Sequence, residues 1–249
     1  MELLNKVALI TGGARRVGRA IALELAEAGC DIAIHYRRSR AEAEDTARAV
    51  REAGRRAALI GADLADPASW PTVIAETVRA FARLDLLVNN ASMFIPDETG
   101  RSSGPAFDHQ LWRDMLEVNL IAPAALCHYA SEHLAANGNG KVVNLVDIAA
   151  ERPWPKHIAY CSSKAGLAAA TKALARALAP IVQVNAIAPG IAVFPEEYSG
   201  ELRRRLVDKV PLKREGTPGE VAKLVRFLVE SGDYITGEVI AIDGGRLLV

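Results

Sequence analysis

A tyrosine and a lysine four residues apart form the most suggestive chemical pair in this sequence. Tyr160 and Lys164 lie in the segment YCSSK, within a run of helical character over residues 155–179. Residues at this spacing lie on one face of a helix. A phenol is a poor proton donor near neutral pH, and a nearby ammonium lowers its pKa. The pair predicts a general acid or base, although isolated pairs of this kind also occur by chance on surface helices.

An acidic residue precedes this pair. Asp147 directly follows the apolar segment KVVNLV and stands thirteen residues before Tyr160. In an open α/β sheet the ligand cleft lies at the carboxyl ends of the strands, so this carboxyl is expected in the cleft, where it could hold or relay a proton. The alternative is that Asp147 only caps the segment that follows it.

The segment TGGARRVG, residues 11–18, predicts a phosphate-binding turn between a strand and a helix. Such a turn directs backbone N–H groups and the positive end of a helix dipole at one point, where the pyrophosphate of a dinucleotide fits. Arg15 and Arg16 are each unfavourable by about 0.3 to 1 kcal/mol beside that dipole, unless an anion lies between them. Two solvated arginines are the alternative interpretation.

The segment HYRRS, residues 35–39, predicts which dinucleotide binds. An enzyme that uses NAD places Asp or Glu after its second strand, against the ribose 2′-hydroxyl. This chain has Arg37, Arg38 and Ser39 there, and guanidinium groups form bidentate pairs with a 2′-phosphate that a carboxylate would repel. We therefore expect NADPH, with a basic turn that faces solvent as the alternative.

Seven short apolar segments alternate with longer segments of helical period, which is typical of repeated βαβ units. The predicted strands span residues 6–11, 31–36, 56–61, 84–89, 141–146, 182–187 and 238–243. The first helix is predicted over 16–29 with Gly29 as its stop, and segments 95–106 and 190–200 are predicted loops. The pattern indicates an α/β protein with a single-domain Rossmann fold over residues 1–249: a doubly wound, seven-stranded parallel sheet with helices on both faces.

Composition argues against several classes of partner. The chain has 249 residues with 30 basic and 30 acidic side chains, so its net charge gives no sign of binding nucleic acid or an anionic membrane. The three cysteines and five histidines lack the spacing of disulfide frameworks and metal sites, and we expect no metal. No segment approaches the length of a membrane span and no basic region precedes the first apolar run, so we expect a cytoplasmic protein.

Taken in order, these features resemble the short-chain dehydrogenase/reductase family over essentially the whole chain. The resemblance rests on TG at 11–12 with Gly18, Asp63 and Leu64, NNA at 89–91, Asn119, Tyr160 with Lys164, PG at 189–190 and a terminal IDGG. The catalytic residues that it implies are Asn119, Asp147, Tyr160 and Lys164. In the family, Asn119 would position a water near Lys164 for proton relay. The resemblance also implies a homotetramer.

The family resemblance extends to contacts with the cofactor. The residues implied, together with the basic positions above, are Gly12, Arg15, Arg16, Val17, Arg37, Arg38, Ser39, Asp63, Leu64, Asn90, Ala91, Tyr160, Lys164, Pro189, Gly190 and Ile191. Asp63 and Leu64 would flank the adenine. The family often has threonine four residues after the PG glycine, where this chain has Phe194. Backbone groups near Ile191 are the candidates to hold the nicotinamide amide instead.

Two further departures from the family pattern indicate a subgroup. Most members carry serine where Asp147 stands and glycine where Arg16 stands, whereas pteridine reductases and dihydromonapterin reductases resemble this chain at both positions. The substrate contacts that this resemblance implies are Arg16, Ser92, Phe94, Asp147 and Tyr160. Phe94 would stack on the flat pterin, although a buried ring that anchors the loop is an equal alternative.

The expected activity is therefore NADPH-dependent reduction of a dihydropterin, such as dihydromonapterin, dihydrobiopterin or dihydrofolate, to the tetrahydro form. One alternative is a carbonyl reductase of the same family that acts on a 3-oxoacyl thioester or a small ketone. A second alternative is a non-catalytic regulator that senses NADPH. The presence of Tyr160, Lys164 and Asn119 argues against the regulator, because a sensor has no use for a proton relay.

Overall fold

A parallel β-sheet forms the centre of the protein. A computed structural model describes residues 1–97, 107–194 and 198–249. The strands within these residues are β1 Val7–Ile10, β2 Asp31–Tyr36, β3 Ala57–Gly61, β4 Leu86–Asn89, β5 Gly140–Leu145, β6 Val182–Pro189 and β7 Val239–Ile242. All neighbours pair in parallel, in the order β3-β2-β1-β4-β5-β6-β7. The predicted doubly wound topology is confirmed.

Helices cover both faces of this sheet. The α-helices are α1 Arg16–Glu27, α2 Arg40–Glu52, α3 Ser69–Phe81, α4 His109–Leu116, α5 Ala122–Ala136, α6 Ile158–Leu178, α7 Gly200–Val207 and α8 Pro218–Glu230. A π-helical turn, Glu117–Ile121, joins α4 to α5, and 3₁₀ turns span Ile148–Ala150 and Arg246–Leu248. Because strand residues alternate between faces, Leu9 enters the core beneath α3 and α5, while Ile10 enters the core beneath α1, α2 and α8.

The ends of the elements differ slightly from the predicted ones, as the ends of strands and helices commonly do. The strand predicted over 182–187 continues to Pro189, and α6 begins only at Ile158 after a turn. The first helix ends at Glu27, and Gly29 follows with a positive φ of 107°. This conformation costs glycine little, so the predicted helix stop at Gly29 is confirmed.

The two loops predicted from their composition lie only partly within the described residues. Residues 95–97 of the first loop have no regular structure, and residues 98–106 lie outside the described ranges. The second loop, predicted over 190–200, also includes residues outside these ranges, at 195–197, and it gives way to α7 at Gly200. Both loops leave the carboxyl-terminal edge of the sheet, one after β4 and the other after β6.

Buried amides attach the longest helix to the centre of the sheet. Asn89 Nδ2 donates to Asn144 Oδ1 at 2.9 Å, and Asn144 Nδ2 donates to Thr171 Oγ1 at 2.9 Å. Each of these bonds contributes about 1 kcal/mol, and losing one partner would leave a buried polar group unsatisfied. The chain of bonds therefore fixes α6 relative to β4 and β5.

The described residues include neither a membrane-spanning helix nor a metal-ligand cluster. No helix among them is long and apolar enough to cross a lipid bilayer. Nor do the described side chains include a group of three or more His, Cys, Asp or Glu residues placed to hold a metal ion. Cys30, Cys127 and Cys161 are buried and free.

Gly18 lies where α1 crosses the turn after β1, and the structure leaves no room for a methyl group there. A Cβ at Gly18 would lie 2.1 Å from the carbonyl oxygen of Gly12 and 2.6 Å from Nδ2 of Asn90. We expect Gly18→Ala to lower the free energy of unfolding by about 2 to 3 kcal/mol, because backbone atoms must move. Chemical denaturation measures the change. The control is Gly200→Ala, whose Cβ would meet nothing within 4 Å; equal destabilisation by both variants would contradict the close packing.

Candidate active site

The residues predicted to bind cofactor or substrate lie along the carboxyl-terminal edge of the sheet. In chain order they are Gly12, Arg15, Arg16 and Val17 after β1, Arg37, Arg38 and Ser39 after β2, Asp63 and Leu64 after β3, Asn90, Ala91, Ser92 and Phe94 after β4, Asp147 after β5, Tyr160 and Lys164 on α6, and Pro189, Gly190 and Ile191 at the end of β6. The strand order reverses between β1 and β4, which opens a crevice between their loops.

The turn between β1 and α1 has the form of an anion-binding turn. Gly12 has a positive φ of 62°, and Asn90 Nδ2 donates to the carbonyl oxygens of Thr11 and Gly12 at 2.9 and 3.1 Å. The N–H of Ala91 donates to Thr11 Oγ1 at 3.0 Å, which attaches the turn to the end of β4. No side-chain hydrogen bond caps α1, and its first turn contains no acidic residue. Its leading N–H groups are therefore available to a phosphate.

Arg16 has a conformation that arginine rarely adopts. Its φ of 53° lies in the left-handed region, which costs a residue with a Cβ about 1 to 2 kcal/mol. Nη2 of its guanidinium donates to the carbonyl oxygen of Phe194 at 3.1 Å. The side chain thus reaches from the phosphate turn across the cleft to the loop after β6. Residues held in such sparsely populated conformations cluster at binding sites.

The basic segment after β2 leaves two groups available to an anion. Arg37 Nη1 is 3.9 Å from Oδ1 of Asp63. Arg38 is exposed and takes part in none of the ion pairs between described residues. Ser39 precedes α2 as its N-cap residue, but its hydroxyl makes no capping bond with that helix. Leu64, which follows Asp63, is buried.

The end of β6 lines the opposite side of the cleft. The N–H of Gly190 donates to the carbonyl oxygen of Ile242 at 3.0 Å, and the carbonyl oxygen of Ile191 accepts from the N–H of Gly216 at 2.8 Å. Phe194, where the family often has threonine, is buried. The loop after Pro189 is therefore fixed at its start to β7 and to the segment before α8.

Tyr160, Asp147 and Lys164 form a cluster between β5 and α6, in which Tyr160 and Lys164 are buried and Asp147 is half-buried. Tyr160 Oη donates to Oδ2 of Asp147 at 2.8 Å, and Oδ1 of the same carboxyl accepts from the N–H of Ala149 at 2.8 Å. Asp147 therefore both caps the 3₁₀ turn that follows it and contacts the phenol, while its role in holding or relaying a proton stays a prediction. Lys164 Nζ donates to the carbonyl oxygen of Leu145 at 2.8 Å and lies 5.8 Å from the centre of the Tyr160 ring.

Burial controls the proton affinity of this cluster. Burial raises the pKa of Tyr160 well above its ordinary value, and the adjacent Asp147 carboxylate raises it further. Burial likewise raises the pKa of Asp147, and it lowers the pKa of Lys164 to about 8 against the opposing charge of Asp147. The prediction that Lys164 lowers the phenol pKa is wrong for this geometry, because burial and the carboxylate outweigh a distant ammonium. Burial thus disfavours the charged forms of both Tyr160 and Asp147.

Asn119 anchors the loop that follows β4. Its Oδ1 accepts from the N–H of Met93 at 2.7 Å and from Ser92 Oγ at 3.2 Å. Its Nδ2 donates to the carbonyl oxygen of Met93 at 2.9 Å and to Ser163 Oγ at 3.0 Å. The side chain is thus fully engaged in holding Ser92 and Met93 against α6. The role of Asn119 in placing a water near Lys164 stays a prediction.

Phe94 lies at the mouth of the cleft with one face supported. Its ring stacks on His157, with centroids 4.4 Å apart and planes at 11°, and it meets Tyr160 edge to face at 4.8 Å. Trp154 packs against the same ring at 6.2 Å. Because 39% of Phe94 remains exposed, the alternative of a buried loop anchor does not describe it. An exposed ring beside the phenol suits stacking with a flat ligand.

Sequence reasoning missed two residues that shape this site. Oδ2 of Asp97 accepts from the N–H of Ala159 at 2.8 Å and so satisfies the first turn of α6, which His157 precedes without capping it. The stacking of His157 on Phe94 places this histidine beside the cleft, although its spacing in the sequence indicates no ligand role. Asp97 lies 62 residues before Ala159, so no local capping pattern could have revealed the contact.

Comparison with known proteins identifies the family. A family model described as enoyl-(acyl carrier protein) reductase matches residues 12–246. The chain belongs to the short-chain dehydrogenase/reductase family. This short-chain oxidoreductase is 34% identical over 249 residues to granaticin polyketide synthase putative ketoacyl reductase 2 of Streptomyces violaceoruber, with 98% of this chain and 96% of that protein covered. It is 33% identical to the 3-oxoacyl-[acyl-carrier-protein] reductase FabG of Staphylococcus aureus, with 98% and 99% covered.

A solved structure is similar over the whole chain. The crystal structure of FolM alternative dihydrofolate reductase 1 from Brucella canis, complexed with NADP, is 37% identical and superimposes with a TM-score of 0.92. The similarity covers 100% of this chain and 96% of that chain. Ketoacyl reductases and an alternative dihydrofolate reductase are thus both close relatives of this short-chain oxidoreductase.

Asp147→Asn tests the half-buried carboxyl while leaving the shape of the side chain unchanged. Because burial raises the pKa of Asp147 above its ordinary 3.8, the native protein binds this proton more tightly than the unfolded chain, and ionisation destabilises the native state as the pH rises above about 4. The amide loses one of the two oxygens that accept from Tyr160 and Ala149, which lowers its stability at every pH. Relative to the wild type, however, we expect the stability of the variant to increase from pH 4 to pH 8, because only the wild type then contains an ionised carboxylate at this position. The difference should no longer change with pH below about pH 4.

Denaturation at several pH values measures this difference. Asp208→Asn, at an exposed position directly after α7, is the matched control and should show no pH-dependent gain. If the difference in stability between Asp147→Asn and the wild type is the same at pH 5 and pH 8, the carboxyl ionises as readily in the native protein as in the unfolded chain.

Proposed function

We propose that this short-chain oxidoreductase uses NADPH to reduce the C=N bond of a dihydropterin, giving a tetrahydropterin. The observation that carries the proposal is the 2.8 Å hydrogen bond between Tyr160 Oη and Asp147 Oδ2. Reduction of a C=N bond requires hydride at carbon and a proton at nitrogen. A carboxyl that accepts a hydrogen bond from a phenol, and whose pKa burial raises, can take part in relaying that proton, whereas a serine hydroxyl at the same position would suffice for a ketone.

The residues along the sheet edge fit NADPH. The turn at 11–18 would hold the pyrophosphate, since Gly18 approaches Gly12 too closely for any side chain and the N-terminus of α1 is uncapped. Arg38 and Ser39 would hold the 2′-phosphate, because both lie after β2 and neither is occupied by a partner side chain. When bound, this cofactor supplies the hydride. The NADP in the similar FolM structure supports this assignment.

Tyr160 and Asp147 would manage the proton. Tyr160 donates to the carboxyl in the structure, and burial keeps the pKa of both groups above the ordinary values. A proton that the pair delivers to the substrate nitrogen can be replaced from solvent, by way of the half-open mouth beside Phe94. Lys164, with its pKa lowered to about 8 by burial, would contact the cofactor and assist the phenol, as the resemblance implies.

Recognition of a flat heterocycle would fall to Phe94 and Arg16. The supported ring of Phe94 offers its exposed side to the substrate. Arg16 reaches the same cleft from the phosphate turn, and its guanidinium could hydrogen-bond both a phosphate oxygen and a pterin acceptor. Ser92, fixed by Asn119, would provide a further polar contact.

A carbonyl reductase is the second candidate function. The relatives described as ketoacyl reductases, 33% and 34% identical over nearly the whole chain, favour a 3-oxoacyl thioester or small ketone as substrate. The same cofactor site and the same Tyr160 and Lys164 would serve that reaction. The two functions differ in what they require of Asp147 and Arg16. We further expect, from family resemblance and composition, a homotetramer in the cytoplasm that acts on a small molecule.

Substrate panels with Arg16 variants test the proposal. NADPH oxidation is followed with dihydropterins, dihydrofolate, a 3-oxoacyl thioester and small ketones. Wild-type turnover of the oxo compounds alone would contradict the pterin proposal. We expect Arg16→Gly to lower kcat/KM for the dihydropterin at least about tenfold more than for a ketone, because a charge-assisted hydrogen bond is lost.

Protein stability provides the internal control for Arg16→Gly. The variant should not be less stable than the wild type, because glycine adopts the positive φ at this position without strain. Arg15→Ala, at the neighbouring exposed arginine with extended backbone, should change kcat/KM for both substrates by the same factor. If Arg16→Gly lowers kcat/KM equally for both substrates, Arg16 does not take part in substrate recognition.

Arg38→Asp tests the preference for NADPH. A carboxylate at this position should repel the 2′-phosphate and lower the affinity for NADPH by about ten- to a hundredfold while affinity for NADH is kept or raised. Dissociation constants from nicotinamide fluorescence measure the ratio. Arg176→Asp makes the same charge change near the carboxyl end of α6, at the opposite edge of the sheet, and should leave the ratio unchanged. An unaltered ratio in Arg38→Asp would assign the 2′-phosphate to other residues.

A further inference from the structure

His35 is a buried polar side chain to which the proposed reaction gives no task. It lies near the end of β2 and is 2% exposed. Its ring makes two hydrogen bonds: Nδ1 accepts from the N–H of Gly12 at 3.2 Å, and Nε2 lies 3.1 Å from the carbonyl oxygen of Ala62. The imidazole therefore bridges the turn after β1 and the segment after β3.

The two partners determine where the ring carries its proton. The N–H of Gly12 can only donate, so Nδ1 must be unprotonated, and the carbonyl of Ala62 can only accept, so Nε2 must carry the hydrogen. Burial lowers the pKa of His35 to about 4, against smaller opposing effects of the bond to Ala62 and of the Asp63 carboxylate. The ring is thus neutral at physiological pH and has one tautomer.

Each end of the bridge holds a segment assigned to the cofactor. Gly12 belongs to the proposed pyrophosphate turn, and Ala62 directly precedes Asp63 and Leu64, which would flank the adenine. The backbone adds to the same junction, because the carbonyl oxygen of His35 accepts from the N–H of Gly13 at 3.0 Å. The 2′-phosphate segment begins only two residues after His35. One side chain thereby connects three parts of a single binding surface.

We infer that His35 is a positioning residue for NADPH, whose two hydrogen bonds fix the pyrophosphate turn and the adenine segment at the separation that the dinucleotide requires. This inference rests on the proposed function, since it needs NADPH as the ligand. His35 itself does not touch the ligand. Its role is to set the spacing between two groups of residues that do.

Two substitutions separate the two bonds. Asparagine places a side-chain oxygen near the position of Nδ1, so His35→Asn keeps an acceptor for Gly12 and loses the bond to Ala62. Glutamine places its amide nitrogen near the position of Nε2, so His35→Gln keeps a donor for Ala62 and loses the bond to Gly12. The ligands are NADPH and adenosine 2′-phosphate, which has the adenine and the 2′-phosphate but no pyrophosphate. Calorimetry or competition against NADPH fluorescence gives the dissociation constants.

We expect His35→Gln to raise the dissociation constant of NADPH about tenfold and that of adenosine 2′-phosphate by less than about threefold. His35→Asn should raise the dissociation constants of both ligands by the same factor. Equal factors for both ligands in His35→Gln, or binding of NADPH as tight as in the wild type, would overturn the inference, because a merely structural role does not distinguish the ligands. Failure of the wild-type protein to bind NADPH would instead overturn the proposed function and this inference together.

A measurement on the wild-type protein covers the case in which the variants do not fold. Nitrogen chemical shifts of ¹⁵N-labelled histidine report which ring nitrogen carries the hydrogen. The expected result is a neutral His35 ring with hydrogen on Nε2, and a shift of both ring nitrogens when NADPH is added. A hydrogen on Nδ1, or ring resonances that NADPH leaves unchanged, would contradict the inference.

Discussion

The hydrogen bond between Tyr160 and Asp147 is the interaction on which the cleft depends. Two groups that can ionise are costly to bury unless they are paired, and here the phenol of Tyr160 donates to the carboxyl of Asp147. The distance between Tyr160 and Asp147 is set by the position of α6 relative to β5. The hydrogen bonds of the buried Asn89 and Asn144 amides and the Thr171 hydroxyl fix this position. These two bonds thus help to hold the phenol of Tyr160 beside the carboxyl of Asp147.

The loop after β4 is attached to this pair by long-range contacts rather than by its own conformation. Asn119 binds the backbone of Met93 on one side, and Asp97 binds the first turn of α6 on the other. Phe94 lies between these attachments and rests on His157. A ring held in this way needs little reorganisation when a ligand arrives, which lowers the entropic cost of binding.

The sequence contains the fold of this protein more completely than its site. Alternation of apolar and helical segments predicted all seven strands, because strands buried on both faces leave a continuous apolar signal. The spacing of Tyr160 and Lys164 and the position of Asp147 also predicted their common location. Sequence could not show the cap from Asp97 or the strained backbone of Arg16, since the first depends on a distant contact and the second on a dihedral angle. The predicted lowering of the pKa of Tyr160 was wrong, because the shift depends on how deeply the phenol is buried, and that burial follows from packing that no single segment specifies.

The π-helical turn at Glu117–Ile121 gives the helix before β5 an unusual sensitivity to length. A π turn contains one residue more than the α turn that it replaces. Deleting a single residue there would straighten the helix and rotate Asn119 by about 100° around its axis, away from Met93. Helix content would hardly change, yet the anchor of the aromatic loop would be gone. When related chains are aligned, a one-residue gap in this stretch therefore matters as much as the identity of the residues beside it.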